Sequence, residues 1–260
     1  IKYRMAEFAP RQIIYVVGAP QELHFRQLFA LARAVGYVPA DVELSHVKFG
    51  TIFDHHGKPL STRAGNMIYL NDLLNDARDR ARQVVDASSP ELPEAERADV
   101  AEKVGIGAVM YNDLYQDSRR NITLDWDRML AIEGNSAPYI QYMYARCRSI
   151  VRRVLGEQAD TAVVAADAAL LTHESEIALI RQLAKMTASI RDAADRYATF
   201  VIAEWCYDTA RAFAAFYRDC PVVKADDDAL RTARLALTAA TAQALRNGLA
   251  LLGIRVPERM

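Results

Sequence analysis

The feature that most constrains the fold is a change of hydrophobic period near residue 130. Ahead of it, short apolar runs alternate with amphipathic stretches; beyond Pro138 the apolar positions keep helical spacing. Ile13-Ile14-Tyr15-Val16-Val17 is a continuous apolar run ended by Gly18, the pattern of a strand covered on both faces. Residues 21 to 35 then read as a helix stopped by Gly36. A β segment spans residues 42 to 53, with a turn at His55-His56-Gly57. Met67-Ile68-Tyr69-Leu70 reads as another strand, and Asn71 suits the cap of a helix running to about residue 86. A loop at Ser88-Ser89-Pro90 and Pro93 leads into a helical stretch carrying Gly105 and Gly107, then into strand-like Asn121-Ile122-Thr123-Leu124. Such alternation predicts an α/β unit with a mainly parallel sheet.

The rest reads as an all-α bundle. Pro138 suits a first helical turn, and Ile140, Met143, Cys147, Ile150, Val151 and Val154 recur at helical spacing. Further helices fit residues 173 to 195, 200 to 218 and 226 to 252; the last opens on Asp226-Asp227-Asp228, which complements a helix N-terminus, and stops at Gly253. The predicted domains are therefore 1–130 and 131–260. With 52% hydrophobic and 25% charged residues the chain is globular, and a net charge of −1 means any nucleic-acid contact needs local basic patches. Cys147, Cys206 and Cys220 are widely spaced and read as small buried apolar residues in a reducing cytosol. No stretch approaches the roughly 20 apolar residues of a membrane span.

Three constellations carry chemistry. The run Gly57-Lys58-Pro59-Leu60-Ser61-Thr62-Arg63-Ala64-Gly65-Asn66 offers two cations, two hydroxyl donors and permissive glycines. Those are the groups a triphosphate needs as its oxygens gain charge, although the same residue types suit an ordinary polar hairpin loop. Gln21 and His24 follow the Val16-Val17 strand, and ligands of open α/β sheets lie beyond the carboxyl ends of strands. A capping Gln and a half-buried His are the alternative. Tyr139, Tyr142, Arg146 and Arg153 share one stripe of the helix that starts at Pro138. Rings and guanidinium groups in line suit unpaired bases and phosphates; a solvated basic flank is the other reading. His55 and His56 lack partners at metal-ligand spacing, so no metal site is expected.

These residues, in this order, resemble arginyl-tRNA synthetases, class I enzymes with a Rossmann-type catalytic domain and a helical anticodon-binding domain. The resemblance runs through Ile13 to Phe25, His46-Val47-Lys48-Phe49-Gly50, Lys58 to Asn66 and Gly105-Ile106-Gly107-Ala108-Val109. It continues through Leu124-Asp125-Trp126-Asp127, Glu133-Gly134-Asn135-Ser136-Ala137-Pro138-Tyr139-Ile140-Gln141-Tyr142 and Leu251 to Met260. The fold it implies is the second half of a Rossmann-type catalytic domain followed by a helical bundle that binds the anticodon.

The resemblance implies roles residue by residue. Gln21 matches a residue that holds the arginine substrate. His24, His46, Val47, Phe49 and Gly50 match the part that lines ATP. Lys58, Ser61, Thr62 and Arg63 match the mobile phosphate loop often written K-M-S-K-S; Pro59 and Thr62 stand where the two lysines would be, leaving Lys58 as the substitute cation. Tyr139, Tyr142, Tyr217 and Met260 fall in regions that approach the anticodon in the family; with Asn135, Arg146 and Arg153 they are the residues expected to contact tRNA. The implied partners are L-arginine, ATP accompanied by Mg²⁺, and arginine tRNA, handled by a monomeric cytoplasmic ligase with no membrane contact. The chain contains no H-x-G-H motif and begins with Ile1, so the expectation is a back half that needs a missing first half to aminoacylate. A non-catalytic RNA-binding module and a plain helical interaction protein remain as other readings.

Overall fold

A computed structural model describes residues 1–54, 57, 68–160, 165–225 and 227–260. The phosphate-loop residues Lys58, Ser61, Thr62 and Arg63, together with His55 and His56, lie outside the described residues.

Strands β1 (Gln12–Gly18) and β2 (Glu43–Phe49) pair in parallel, in register from Gln12 opposite Glu43 to Gly18 opposite Phe49. Parallel neighbours need a crossover, supplied by helix α2 (Glu22–Ala34), which follows α1 (Lys2–Phe8). A second parallel pair joins β3 (Ile52–Phe53) to β4 (Ile122–Thr123). The expectation that β1 is covered on both faces is corrected: Ile13 is buried, but Ile14 is 45% and Val16 65% exposed. The alternation that hides Ile13 turns its neighbours to the opposite face, where they stand exposed. The strand expected over residues 67 to 70 is also corrected. Leu70 opens helix α3 (Leu70–Ser88), with Tyr69 rather than Asn71 at the cap. Its Ala77, Ala81 and Val85 hold helical spacing and are buried, which outweighs the β propensity of three apolar residues.

Helix α4 (Glu94–Leu114) is the seam of the molecule. It packs on α3 along one side and on α6 (Ala137–Leu155) along the other, with the short helix α5 (Trp126–Met129) between them in sequence. Two glycines permit both contacts. A Cβ on Gly105 would come within 2.5 Å of the Ala77 carbonyl of α3. A Cβ on Gly107 would meet Gln141 of α6 at 2.9 Å and Ile254 at 3.1 Å. Two positions along a helix are about 200° apart around it, so the pair faces opposite neighbours.

The second half is all helical. Ser136 caps α6 by accepting the Tyr139 N–H at 3.2 Å, with Pro138 in the first turn. Helices α7 (Glu174–Ala184), α8 (Met186–Arg196), α9 (Thr199–Asp219) and α10 (Asp228–Leu251) complete the bundle. The single helix expected over residues 173 to 195 is two. At Lys185 the N–H bonds back to Gln182 at 3.2 Å, tightening the turn so that α7 and α8 both lie against α9. Asp227 caps α10 through the Ala229 and Leu230 amides. The core is continuous through Ile140, Cys147, Leu179, Cys206, Phe213, Phe216, Leu245 and Leu249, all fully buried. Glu176 is buried too; it closes the cap of α7 through the His173 N–H and receives Arg234 Nε at 2.7 Å.

Tyr197, between α8 and α9, has φ 51°. The left-handed region costs an L-residue about 1–2 kcal/mol, which is why glycine is usual where a helix ends this way. Its hydroxyl donates to Glu43 Oε1 at 2.5 Å, stands 3.0 Å from Ser45 Oγ and accepts from the Gln12 side chain.

Candidate functional site

Helix α6 presents Tyr142, Arg146 and Arg153 to a groove of about 960 Å³ whose other wall is the end of α9 and the loop after it. The Arg146 guanidinium lies 4.6 Å from the Tyr142 ring centre and 4.9 Å from that of Tyr217, so one cation sits against two rings. It also donates to the Tyr142 hydroxyl. Tyr217, on α9, is 43% exposed. Arg152, Arg218, Lys224 and Arg259 add cationic side chains to the same groove.

The C-terminal tail closes the groove because it is tied to α6 along its length. Gln141 donates to the carbonyl oxygens of Lys103 at 3.0 Å and Arg255 at 2.7 Å. Glu258 accepts from Tyr144 at 2.5 Å and from Arg148 at 2.9 Å, and its carbonyl accepts from Arg152 at 2.8 Å. Burial raises the Tyr144 phenol well above its ordinary value, so it remains a donor to that carboxylate. Met260 is thereby held beside Tyr142. Together they also line a smaller apolar pocket of about 380 Å³, walled by Ala81, Val85, Leu130 and Pro138.

Two of the seven residues expected near tRNA sit elsewhere. Tyr139 turns from the groove and packs edge-on against Tyr207 of α9, 5.8 Å between ring centres; burial raises its phenol above the ordinary value. Tyr139 lies one turn nearer the helix start and about 60° around from Tyr142, which is enough to take it against α9 while Tyr142 lines the groove. Asn135 is a structural partner, accepting the Tyr111 hydroxyl at 2.6 Å. Sequence reasoning missed Arg152, Arg218, Lys224 and Arg259. The signal for Arg218 was its place beside Tyr217, and for Arg259 its place beside Met260.

At the other end of the molecule, the carboxyl ends of β1 and β2 gather the remaining candidates. Gln21 is exposed at the start of α2 and makes no capping bond, leaving its amide open to solvent. His24 is exposed and meets Phe25 edge-on, 5.4 Å between ring centres. His46 lies 4.5 Å from Phe25 and places Nε2 2.9 Å from the Val17 carbonyl, which fixes its ring; its buried Nδ1 has no partner. Since a carbonyl oxygen only accepts, Nε2 donates in this contact. Val47 is half-buried and Phe49 46% exposed; Gly50 donates its N–H to the Ser118 carbonyl at 2.8 Å. Lys48 pairs with Glu22 at 2.7 Å, and its hydrogen bond and charge hold that carboxyl below the ordinary range. Among the described residues no group of three or more His, Cys, Asp or Glu side chains is placed to hold a metal ion.

Comparison with known proteins decides the family. The profile described as "tRNA synthetases class I (R), catalytic domain" matches residues 1–126, and that of the "DALR anticodon binding domain" matches residues 140–260. The chain is 64% identical over all its 260 residues to the arginine–tRNA ligase of Chloroflexus aggregans. The chain belongs to the arginyl-tRNA synthetase family. It spans 45% of the length of that relative and 44% of the Chromobacterium violaceum arginine–tRNA ligase, to which it is 38% identical. Among solved structures, the Thermus thermophilus arginyl-tRNA synthetase superposes with a TM-score of 0.85 at 26% identity, covering 96% of this chain and 41% of that one. The Plasmodium falciparum enzyme does so at 0.83 and 25%, covering 100% and 43%. The fold class is accordingly part of a class I catalytic domain followed by a DALR helical domain. Among the described residues no helix is long and apolar enough to cross a membrane.

Proposed function

We propose that this chain supplies the phosphate-loop side of the catalytic site and the whole anticodon-binding bundle of an arginine–tRNA ligase. The observation that carries the reading is the groove in which Arg146 sits between Tyr142 and Tyr217, within the stretch matched by the anticodon-binding profile. Exposed rings take unstacked bases, and the surrounding cations meet phosphates. The apolar pocket behind Tyr142 and Met260 suits the faces of a base splayed from the loop. Tyr139 braces α6 against Tyr207 of α9 from outside the groove.

The reaction has two steps. The arginine carboxylate attacks the α-phosphorus of ATP, forming arginyl-adenylate and releasing pyrophosphate. A ribose hydroxyl at the 3′ end of arginine tRNA then takes the arginyl group and AMP leaves. Positioning and electrostatics dominate both steps. Gln21, open at the start of α2, is the arginine-side residue. His24, His46, Val47, Phe49 and Gly50 form the ATP-side wall, with the His46 ring held by the Val17 carbonyl. Lys58, Ser61, Thr62 and Arg63 are assigned to the triphosphate by the family resemblance. Mg²⁺ enters with the ATP phosphates and is given no protein ligand. The whole enzyme works as a cytoplasmic monomer.

The test is arginine-dependent ATP–pyrophosphate exchange, with arginine tRNA present, by a full-length ligase carrying this chain. Lys58→Ala is expected to lower the exchange rate on the order of 10²-fold while arginine binding stays close to the parent's, because its charge matters most as pyrophosphate leaves. Equal losses in rate and arginine binding contradict the assignment. Normal tRNA binding with no exchange by the parent protein favours a non-catalytic RNA-binding module instead.

A further inference from the structure

Helix α9 has one end in the groove and the other against the catalytic strand. Near its C-terminus Tyr217 stacks on Arg146. Its N-terminus follows directly on Tyr197, whose hydroxyl is bonded to Glu43 and stands beside Ser45. Those two residues belong to β2, the strand that continues into His46, Val47 and Phe49. The 21 residues of α9, at about 1.5 Å each, separate the two ends by roughly 30 Å.

Between its ends α9 is held on every turn. Ile202, Ala203, Trp205, Cys206, Ala210, Phe213 and Phe216 are buried, and Tyr111 of α4 donates to the Ala203 carbonyl at 3.1 Å. A helix so closely packed shifts as a body rather than bending. The residue that joins it to β2 is the strained one. Glycine would satisfy the backbone at Tyr197 without strain, yet the position carries a tyrosine whose hydroxyl touches three side chains of the β1–β2 pair. Strain maintained at such a place points to what the side chain does there.

We propose that Tyr197 is a positioning residue that links occupancy of the groove to the placement of β2, with α9 as the connecting body. The inference rests on the reading of the groove as the tRNA site. A ligand that presses Tyr217 and Arg146 biases α9, and the Tyr197–Glu43 bond passes that bias to the strand that lines ATP. The link is a coupling between two sites.

The test uses a full-length ligase carrying this chain, with aminoacylation kinetics, anticodon stem-loop affinity and thermal melting measured on each variant. Tyr197→Phe removes only the hydroxyl and is expected to lower the kcat for aminoacylation at least about fivefold, with stem-loop affinity and the KM for tRNA unchanged. Glu43→Ala removes the acceptor from the other side and reproduces the loss; Glu43→Gln keeps a carbonyl acceptor and restores most of the rate. Combined with Tyr142→Ala, Tyr197→Phe adds little further loss of kcat, because both act on one link. A parent-like kcat for Tyr197→Phe overturns the proposal. So does a loss shared in proportion by kcat, affinity and melting temperature, or a double variant whose losses simply multiply. If Tyr142→Ala leaves stem-loop affinity intact, the groove reading falls and the coupling with it. If Tyr142→Ala weakens binding while Tyr197→Phe is silent, the coupling alone falls.

Discussion

Phe213, Phe216, Leu245 and Leu249 are fully buried in the helical bundle, whereas in the β1–β2 unit Ile14 and Val16 stand 45% and 65% exposed. Leu23, Leu31, Val35 and Phe49 in the same unit are also well exposed. The bundle buries its own apolar faces. The parallel pair does not, and parallel sheets are ordinarily covered on both faces. The chemistry follows the same division. The groove is built wholly from the bundle and its C-terminal tail, while Gln21, His24 and Phe49 stand around an open sheet end.

The sharpest way to break this comparison is to cut the core of each part. Phe213→Ala should cost about 3–5 kcal/mol, while Val16→Ala should change stability by no more than about 0.5 kcal/mol. Urea unfolding followed by the fluorescence of buried Trp205 reads the first, and hydrogen exchange over residues 12–49 reads the second. Similar costs at the two positions would mean that β1 is as well packed as the bundle.

Next in size is the seam. Gly105→Ala places a methyl 2.5 Å from the Ala77 backbone, so α3 and α4 must separate, at about 1–3 kcal/mol. The amides of α3 should then exchange faster while those of α9 keep their protection. Loss of protection throughout would show that the two parts unfold as one unit.

A smaller effect comes from alkaline pH. Burial pushes the Cys206 thiol from an ordinary 9.0 to about 12, and it raises the Tyr111 and Tyr144 phenols as well. Each folded value lies above the unfolded one. The stability these groups contribute is therefore complete below about pH 9 and is lost as pH rises toward 12. Bundle stability should fall across that window, and Cys206 should resist thiol reagents until the bundle opens. Rapid labelling of Cys206 at pH 8 in the folded chain would contradict its burial.

Most elements were legible because their signals are local. Pro138 in a first turn, the acids that open α10 and the run Ile13 to Val17 each carry their own instruction. The misreadings came from tertiary contacts. Ile68, Tyr69 and Leu70 have strand-like side chains, yet the helical spacing of Ala77, Ala81 and Val85 drew Leu70 into α3. The break at Lys185 follows from α7 and α8 both packing on α9, which no residue in that stretch announces. At the site, the period of α6 placed Tyr142, Arg146 and Arg153 together, but about 60° around the helix, one turn earlier, Tyr139 meets Tyr207 instead. Tyr197 was invisible because its partners Glu43 and Ser45 lie about 150 residues away in sequence.

The groove of α6, α9 and the C-terminal tail is proposed to hold the anticodon loop. The direct measurement is a titration of the 260-residue chain with the anticodon stem-loop of arginine tRNA at several salt concentrations, for the parent, Tyr142→Ala and Arg146→Ala. Loss of one stacking ring should weaken the arginine stem-loop by about 1–3 kcal/mol and spare non-cognate loops. Arg146→Ala should weaken all loops and flatten the salt dependence by about one unit of slope. If both variants bind like the parent at every salt concentration, the groove is not where the anticodon is read.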